Sequence, residues 1–341
     1  MAITVLVVDD SATVRAYLRS LLEEDREIQV VGEATDGHLA VAACALLQPQ
    51  VVTMDLVMPS SGVDAVRRIM EENPTPIVVV SALAEDEKDL TVYEALAAGA
   101  LAVVRRPPSH RHPEFAERHR ELLDAVKTAA GITLVRRKRT GVTVKSAAPP
   151  EPGSRLQLVG IGASTGGPAA IMKVLQGLPK VFAPSIAIVQ HITPGFTSGL
   201  VEWLNGSSPL PVRLAKAGMR LPWQGAIVAP DERHLTIRHG TVYLEQTAPR
   251  NGHRPSVDPL FESMADWKPR ACAGVLLTGM GEDGANGLRR LRSLGGHTVI
   301  QTEETCVVFG MPGTAWRLGA AEHALSPDAI AQALTGLAEA A

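Results

Sequence analysis

Aromatic side chains make up only 4% of the 341 residues, so the interior has to be built from aliphatic side chains. Cysteine occurs three times. Cys44, Cys272 and Cys306 are far apart and lack close Cys/His spacing, which speaks against a zinc site and for a reducing compartment. Long apolar runs are missing as well. The longest uncharged stretch, 181–201, is interrupted by Pro184, Gln190, His191, Pro194 and Gly195, which rules it out as a membrane span. The opening MAITVLVVDD has neither a basic leader nor a small-residue cleavage site. These absences predict a soluble, cytoplasmic chain with no membrane insertion.

The chain also has little net charge, −3 in all, but the charge is unevenly spread. Residues 1–104 carry 17 acidic and 6 basic side chains, residues 105–152 carry 5 and 11, and the remainder is close to neutral. An acidic first third, a basic connector and a near-neutral second half imply three pieces. The length predicts about two domains at roughly 150 residues each. With 45% hydrophobic and 20% charged residues, a disordered or fibrous chain is excluded.

Short aliphatic runs alternate with amphipathic stretches, the pattern of strand-helix-strand units around parallel sheets. In the first half the spacing predicts strands at Thr4–Val8, Gln29–Ala34, Val51–Met54, Ile77–Ser81 and Leu101–Val104, with helices between them and another at Glu114–Ala130. The second half repeats the pattern from Leu156 onward, with apolar runs down to Val307–Phe309. A β-hairpin is expected where His239-Gly240 separates two short runs. The expected division is a doubly wound α/β domain over 1–106, a basic, Pro-rich linker with one helix over 107–154, and a second doubly wound, mostly parallel α/β domain over 155–341. The run 136–139, Arg-Arg-Lys-Arg, has no interleaved aromatics, which fits a solvated linker and no nucleic-acid partner.

Asp9 and Asp10 follow the first predicted strand and Asp55 follows the third, so three carboxylates should meet at one strand-end crevice. Crowded like charges call for a hard divalent cation, and Mg²⁺ suits one or two carboxylates completed by water and phosphate oxygens. A carboxylate beside such an ion can take up a phosphoryl group. Asp9-Asp10-Ser11, Met54-Asp55, Met58-Pro59, Ser81-Ala82 and Gly99-Ala100 together resemble the receiver domain of bacterial response regulators, a flavodoxin-like fold. The resemblance implies that Asp55 is the phosphoryl acceptor. It implies that Asp10, Asp55 and the Val57 carbonyl hold Mg²⁺ with Asp9 behind them, and that Ser81 is the switch hydroxyl. One departure is Arg106, in Arg105-Arg106-Pro107, where that family has lysine; the two cations are not interchangeable at a tight phosphate site.

The second half opens with Gly160-Ile161-Gly162-Ala163-Ser164-Thr165-Gly166-Gly167-Pro168. Its glycines loosely match a dinucleotide fingerprint, but the last is one residue late and no acidic residue ends the next strand. Read as Gly162-x-Ser164-x-Gly166, it is a nucleophile elbow. A serine nucleophile needs a base and an orienting carboxylate. His191 and Asp283 each follow an apolar strand and are the candidates, although the order Ser, His, Asp differs from that of the α/β-hydrolases.

GIGASTGGP, IVQHI, APDERHL, RPSVDPLFES, LLTGMGEDGA and VVFGMP, in this order behind a receiver, resemble the catalytic domain of chemotaxis protein-glutamate methylesterases from about Leu156 to Leu334. The resemblance implies Ser164 as nucleophile, His191 as general base, Asp283 as its partner, and Thr165 and Met280 at the oxyanion site. It implies no cofactor in the catalytic domain. The implied activity is hydrolysis of glutamate methyl esters, and deamidation of glutamine, on methyl-accepting chemoreceptors, under control of a chemotaxis histidine kinase. Rival readings are a dinucleotide-dependent oxidoreductase and a scaffold whose receiver or triad is inert. His253 and Arg254 are expected on a loop that is either solvated or touches an acidic receptor, and the four tryptophans are expected in the core.

Overall fold

In the computed structural model, which describes residues 2–82, 90–132, 155–222 and 224–339, the aliphatic runs become two separate parallel sheets. Contacts divide the chain into two units, Met1–Arg136 and Arg137–Ala341. The basic run 136–139 and the stretch 145–154 lie outside the described residues.

The first unit contains strands β1 (Ile3–Val8), β2 (Ile28–Ala34), β3 (Val51–Met54), β4 (Ile77–Ser81) and β5 (Ala102–Arg105). They lie in the order β2-β1-β3-β4-β5, and every neighbouring pair is parallel. Helices α1 (Ala12–Glu23), α2 (Gly37–Leu47), α3 (Gly62–Glu72), α4 (Thr91–Ala98) and α5 (Phe115–Ala130) complete the unit. Every residue of β3 and β4 is buried, which is why these strands read as unbroken aliphatic runs rather than alternating ones. The Ser11 and Asp36 side chains cap α1 and α2, fixing where each chain leaves its strand. Strand order reverses between β1 and β3, and ligands of doubly wound sheets collect at that crevice. The helix expected within the connector, α5, instead packs against β3, β4 and β5 as part of this unit.

The second unit holds β6 (Leu158–Ala163), β7 (Ser185–Gln190), β8 (Val212–Leu214), β9 (Ala226–Val228), the hairpin β10 (His234–Arg238) and β11 (Thr241–Glu245), β12 (Cys272–Leu276), β13 (His297–Gln301) and β14 (His323–Leu325). Its sheet runs β14-β13-β12-β6-β7-β9-β8, all parallel, with the antiparallel hairpin apart from it. The helices are α6 (Gly167–Gln176), α7 (Thr197–Ser207), α8 (Val257–Trp267), α9 (Ala285–Ser293), α10 (Met311–Arg317) and α11 (Pro327–Glu339). Leu260, Phe261 and Met264 of α8 share one buried cluster with Leu235, Ile237 and Val242 of the hairpin. α8 also lies close to β6: a Cβ on Gly160 would come within 2.5 Å of Met264 Sδ, and one on Gly162 within 2.3 Å of Val257 Cγ1. The first two glycines of the GIGAS string therefore serve helix-on-sheet packing, and phosphate binding is not needed to account for them.

The run Val307–Phe309 is not a strand; a single bridge joins Gly279 to Phe309. Its amides are used otherwise, because Thr278 Oγ1 accepts from Val307 N at 3.1 Å and Val308 N at 3.0 Å. Trp203 is buried and Trp267 packs against the core, but Trp316 is exposed, contrary to expectation; Trp223 lies outside the described residues. Among the described residues no helix is long and apolar enough to cross a membrane.

Candidate active site and acidic strand-end site

Ser164 stands directly after β6, His191 directly after β7, and Asp283 on the loop between β12 and α9. Because β12, β6 and β7 are neighbours, the three residues rise from adjacent strand ends with the serine in the middle. The elbow is made by Gly166, whose φ of +75° is left-handed, and α6 starts at the next residue. It is held to its neighbours on both sides. Ser164 N donates to Thr278 O at 3.0 Å and Gly167 N to Ser164 O at 2.8 Å, while Thr278 Oγ1 donates to Thr165 O at 2.9 Å. Gly279 passes so close that a Cβ there would lie 2.7 Å from Ser164 Cβ, which brings the exposed Met280 to the same end of the sheet.

His191 Nε2 meets Asp283 Oδ2 at 2.9 Å. The other ring nitrogen, Nδ1, is buried and has no hydrogen-bond partner among the described residues. Asp283 is itself buried and accepts from the Ser256 hydroxyl at 2.6 Å, Val257 N at 2.7 Å, Asn251 Nδ2 at 3.0 Å, Gly284 N at 3.0 Å and Asp258 N at 3.3 Å. Burial alone would push its carboxyl up; the His191 bond and charge, the Ser256 hydroxyl and the Val257 amide outweigh that and hold it below the usual range. Asn251 also donates to buried Asp258 at 2.9 Å, so one amide bridges two carboxylates. No bond from Ser164 Oγ to the imidazole is present among the described residues; nucleophile and base are linked through the backbone, His191 N to Ala163 O at 2.9 Å.

His253 lies flat against His191, with ring centroids 3.8 Å apart and planes within 14°. Burial, then the neighbouring His191, pull its pKa down to about 4. The sequence leaves this residue on a loop that is either solvated or touches a receptor; its stacking on His191 is visible only in the fold. Arg254 pairs with Glu232 and donates to Thr247 O at 2.9 Å, and Asp231 accepts from Gly195 N at 2.8 Å and from Thr197, fixing the loop that follows His191.

At the first sheet, Asp9, Asp10 and Asp55 bring carboxylate oxygens within 4.8 Å of one another. Asp9 is buried, Asp55 half-buried and Asp10 exposed. Burial, with added repulsion from Asp9, pushes Asp55 up to about 6 even though the Val57 amide, 3.3 Å from Oδ1, opposes the shift. A crowded, all-oxygen donor set open on one side fits a hard divalent cation. Ser81 ends β4 and its carbonyl takes Arg106 N at 2.7 Å. The Arg106 guanidinium reaches Asp9, at 3.9 Å from Oδ2.

Fold and strand-end residues together define a class: a response-regulator receiver unit followed by an α/β unit that carries a serine-hydrolase arrangement. Residues 5–112 match the response regulator receiver domain family and residues 159–334 match the CheB methylesterase family. A protein-glutamate methylesterase/protein-glutamine glutaminase of Geobacter metallireducens is 46% identical over 98% of this chain and 99% of its own length, and one of Anaeromyxobacter dehalogenans is 43% identical over 97% and 98%. The crystal structure of the Thermotoga maritima CheB methylesterase catalytic domain is 35% identical, covers 53% of this chain and 98% of that one, and superposes with a TM-score of 0.52. The chain belongs to the protein-glutamate methylesterase/protein-glutamine glutaminase family of receiver-linked chemotaxis enzymes.

Proposed function

We propose that Ser164 Oγ attacks the side-chain carbonyl of a glutamate methyl ester on a chemoreceptor while His191 takes its proton. The observation that carries this reading is the 2.9 Å contact between His191 Nε2 and Asp283 Oδ2 beside the serine elbow. With the proton of Nε2 directed to Asp283, the lone pair resides on Nδ1, the nitrogen left without a partner. The tetrahedral oxyanion is stabilised by backbone amides at Thr165, two residues before the first residue of α6, and at Met280. Collapse expels methoxide, which leaves as methanol with the His191 proton. Water, deprotonated by the same imidazole, then cleaves the acyl-serine and returns the receptor carboxylate. With a glutamine side chain the leaving group is ammonia and the remaining steps are the same.

In the receiver unit Asp55 accepts the phosphoryl group from a chemotaxis histidine kinase. Asp10, Asp55 and the Val57 carbonyl would hold Mg²⁺, with Asp9 behind them; a cation there would supply positive charge against the crowded carboxylates and phosphoryl oxygens. Ser81 bonds the new phosphoryl oxygen, and Arg106, tethered to Asp9, supplies the cation at the switch position. The test is methanol release from methylated receptor cytoplasmic fragments, with and without Mg²⁺ and a small-molecule phosphodonor. Ser164→Ala is expected to lower kcat by about 10³-fold or more; residual turnover within about tenfold of wild type defeats the assignment.

A further inference from the structure

Gln190 is the last residue of β7 and is buried, yet its amide does more than fill space. Nε2 donates to Ser164 O and to His191 O, both at 2.8 Å. Two carbonyl acceptors settle which end of the amide carries the nitrogen. β6 and β7 stay paired as far as Ala163 and Gln190, with one more rung from His191 N to Ala163 O. Beyond that rung the two chains part, one into the serine elbow and the other into the loop of the base. The Gln190 amide spans the gap at the level where nucleophile and base leave the sheet.

The opposite end of the amide is as informative. Oε1 is buried without a hydrogen-bond partner, an uncommon state for a buried side-chain acceptor. A Cβ built on Gly167 would fall 2.0 Å from that oxygen and 2.9 Å from Gln190 Cδ. Gly167 opens α6 with a backbone that is not left-handed, so its conformation does not call for glycine, and a helix favours alanine. The missing side chain leaves the slot that Gln190 occupies, beside Ala163, whose Cβ a Cβ at Gly167 would approach to 2.8 Å.

We infer that Gln190, seated in the slot left by Gly167, is a positioning residue that sets the separation between the nucleophile Ser164 and the base His191. The inference rests on the Ser164–His191–Asp283 reading. Misplacement of reacting groups by about 1 Å costs on the order of 10²-fold in rate, so the effect belongs in kcat rather than in KM. In the full-length, phosphodonor-activated chain, Gln190→Met, of similar length without donors, is expected to lower kcat at least about tenfold with KM within about twofold. Gly167→Ala, which pushes the amide from its slot, is expected to do the same. The double variant should fall no more than about twofold below the worse single one, because both act on one device. Losses that multiply in the double variant, or a lowered melting temperature with kcat unchanged, overturn the inference. Should Gln190→Met fail to fold, Gly167→Ala decides alone: a tenfold loss supports it and wild-type kcat overturns it. Ser164→Ala, run alongside, separates the two readings. If it stays active, the triad itself fails; if it is dead while Gln190→Met matches wild type, only this inference fails.

Discussion

Asp283 and His253 show how much of the site is decided one side chain at a time. Asp283 receives five protein donors besides His191, so an amide there turns an N–H₂ toward groups that are themselves donors. Asp283→Asn is expected to reduce kcat by about 10³–10⁴-fold and to lower the melting temperature as well, both readable on one purified sample. His253 titrates in the opposite sense from a histidine that gains a charged partner. Its folded pKa lies near 4, below the unfolded value of about 6.5, so the folded chain binds that proton less readily. Its contribution to stability is intact above about pH 6.5 and is lost as pH falls toward 4. His253→Phe keeps a ring against His191 and should lose less melting temperature over that window than wild type; identical pH slopes would refute the assignment. The strand-end residues Ser164, His191 and Asp283 were legible because chemistry at a parallel sheet collects where strands end. Gln190, Ser256 and Asn251 were not, since each acts through bonds to groups that only folding brings near, such as Ser256 to Asp283.

At the scale of elements, the motif glycines divide into distinct duties. Gly160 and Gly162 admit α8, Gly166 turns the chain, and Gly167 makes room for a side chain. Thr278 is the corresponding latch on the β12 side: its hydroxyl donates to Thr165 O and accepts from Val307 N and Val308 N. Thr278→Val keeps the shape and leaves those backbone groups without this partner. A loss of roughly 2–3 kcal/mol is expected in chemical denaturation, with slower turnover because the elbow is no longer tied down. This also explains why Val307–Phe309 misleads as a strand, since its aliphatic pattern is right but the side chain of Thr278 takes two of its amides. The edge strands β8 and β14 escape notice for another reason: each has three residues, too few to show a period. The central strands of both units were plain from aliphatic runs, and the helices of the first unit from the amphipathic stretches between them; the helices of the second unit were expected only as a kind, without ranges.

Across the whole molecule, an acidic, cation-ready receiver precedes a catalytic sheet in one chain. Activity in Asp55→Ala is expected to stay at the level seen without phosphodonor, while wild type rises on adding phosphodonor and Mg²⁺; a variant that still responds would place the acceptor elsewhere. Arg106→Lys should shift the Mg²⁺ concentration needed for that rise, because Arg106 reaches Asp9, at the back of the carboxylate cluster. The strand order of the second sheet carries a consequence for how the enzyme comes into being. β6 pairs with β12, Leu158 against Cys272, so the nucleophile's strand waits for a partner synthesised more than a hundred residues later. Loop closure over such a span is slow, and neither a nascent chain nor a truncated one ending before β12 can assemble the triad. Regain of catalysis after dilution from denaturant should therefore lag behind the return of helical signal, making turnover a reporter of the last long-range pairing to form.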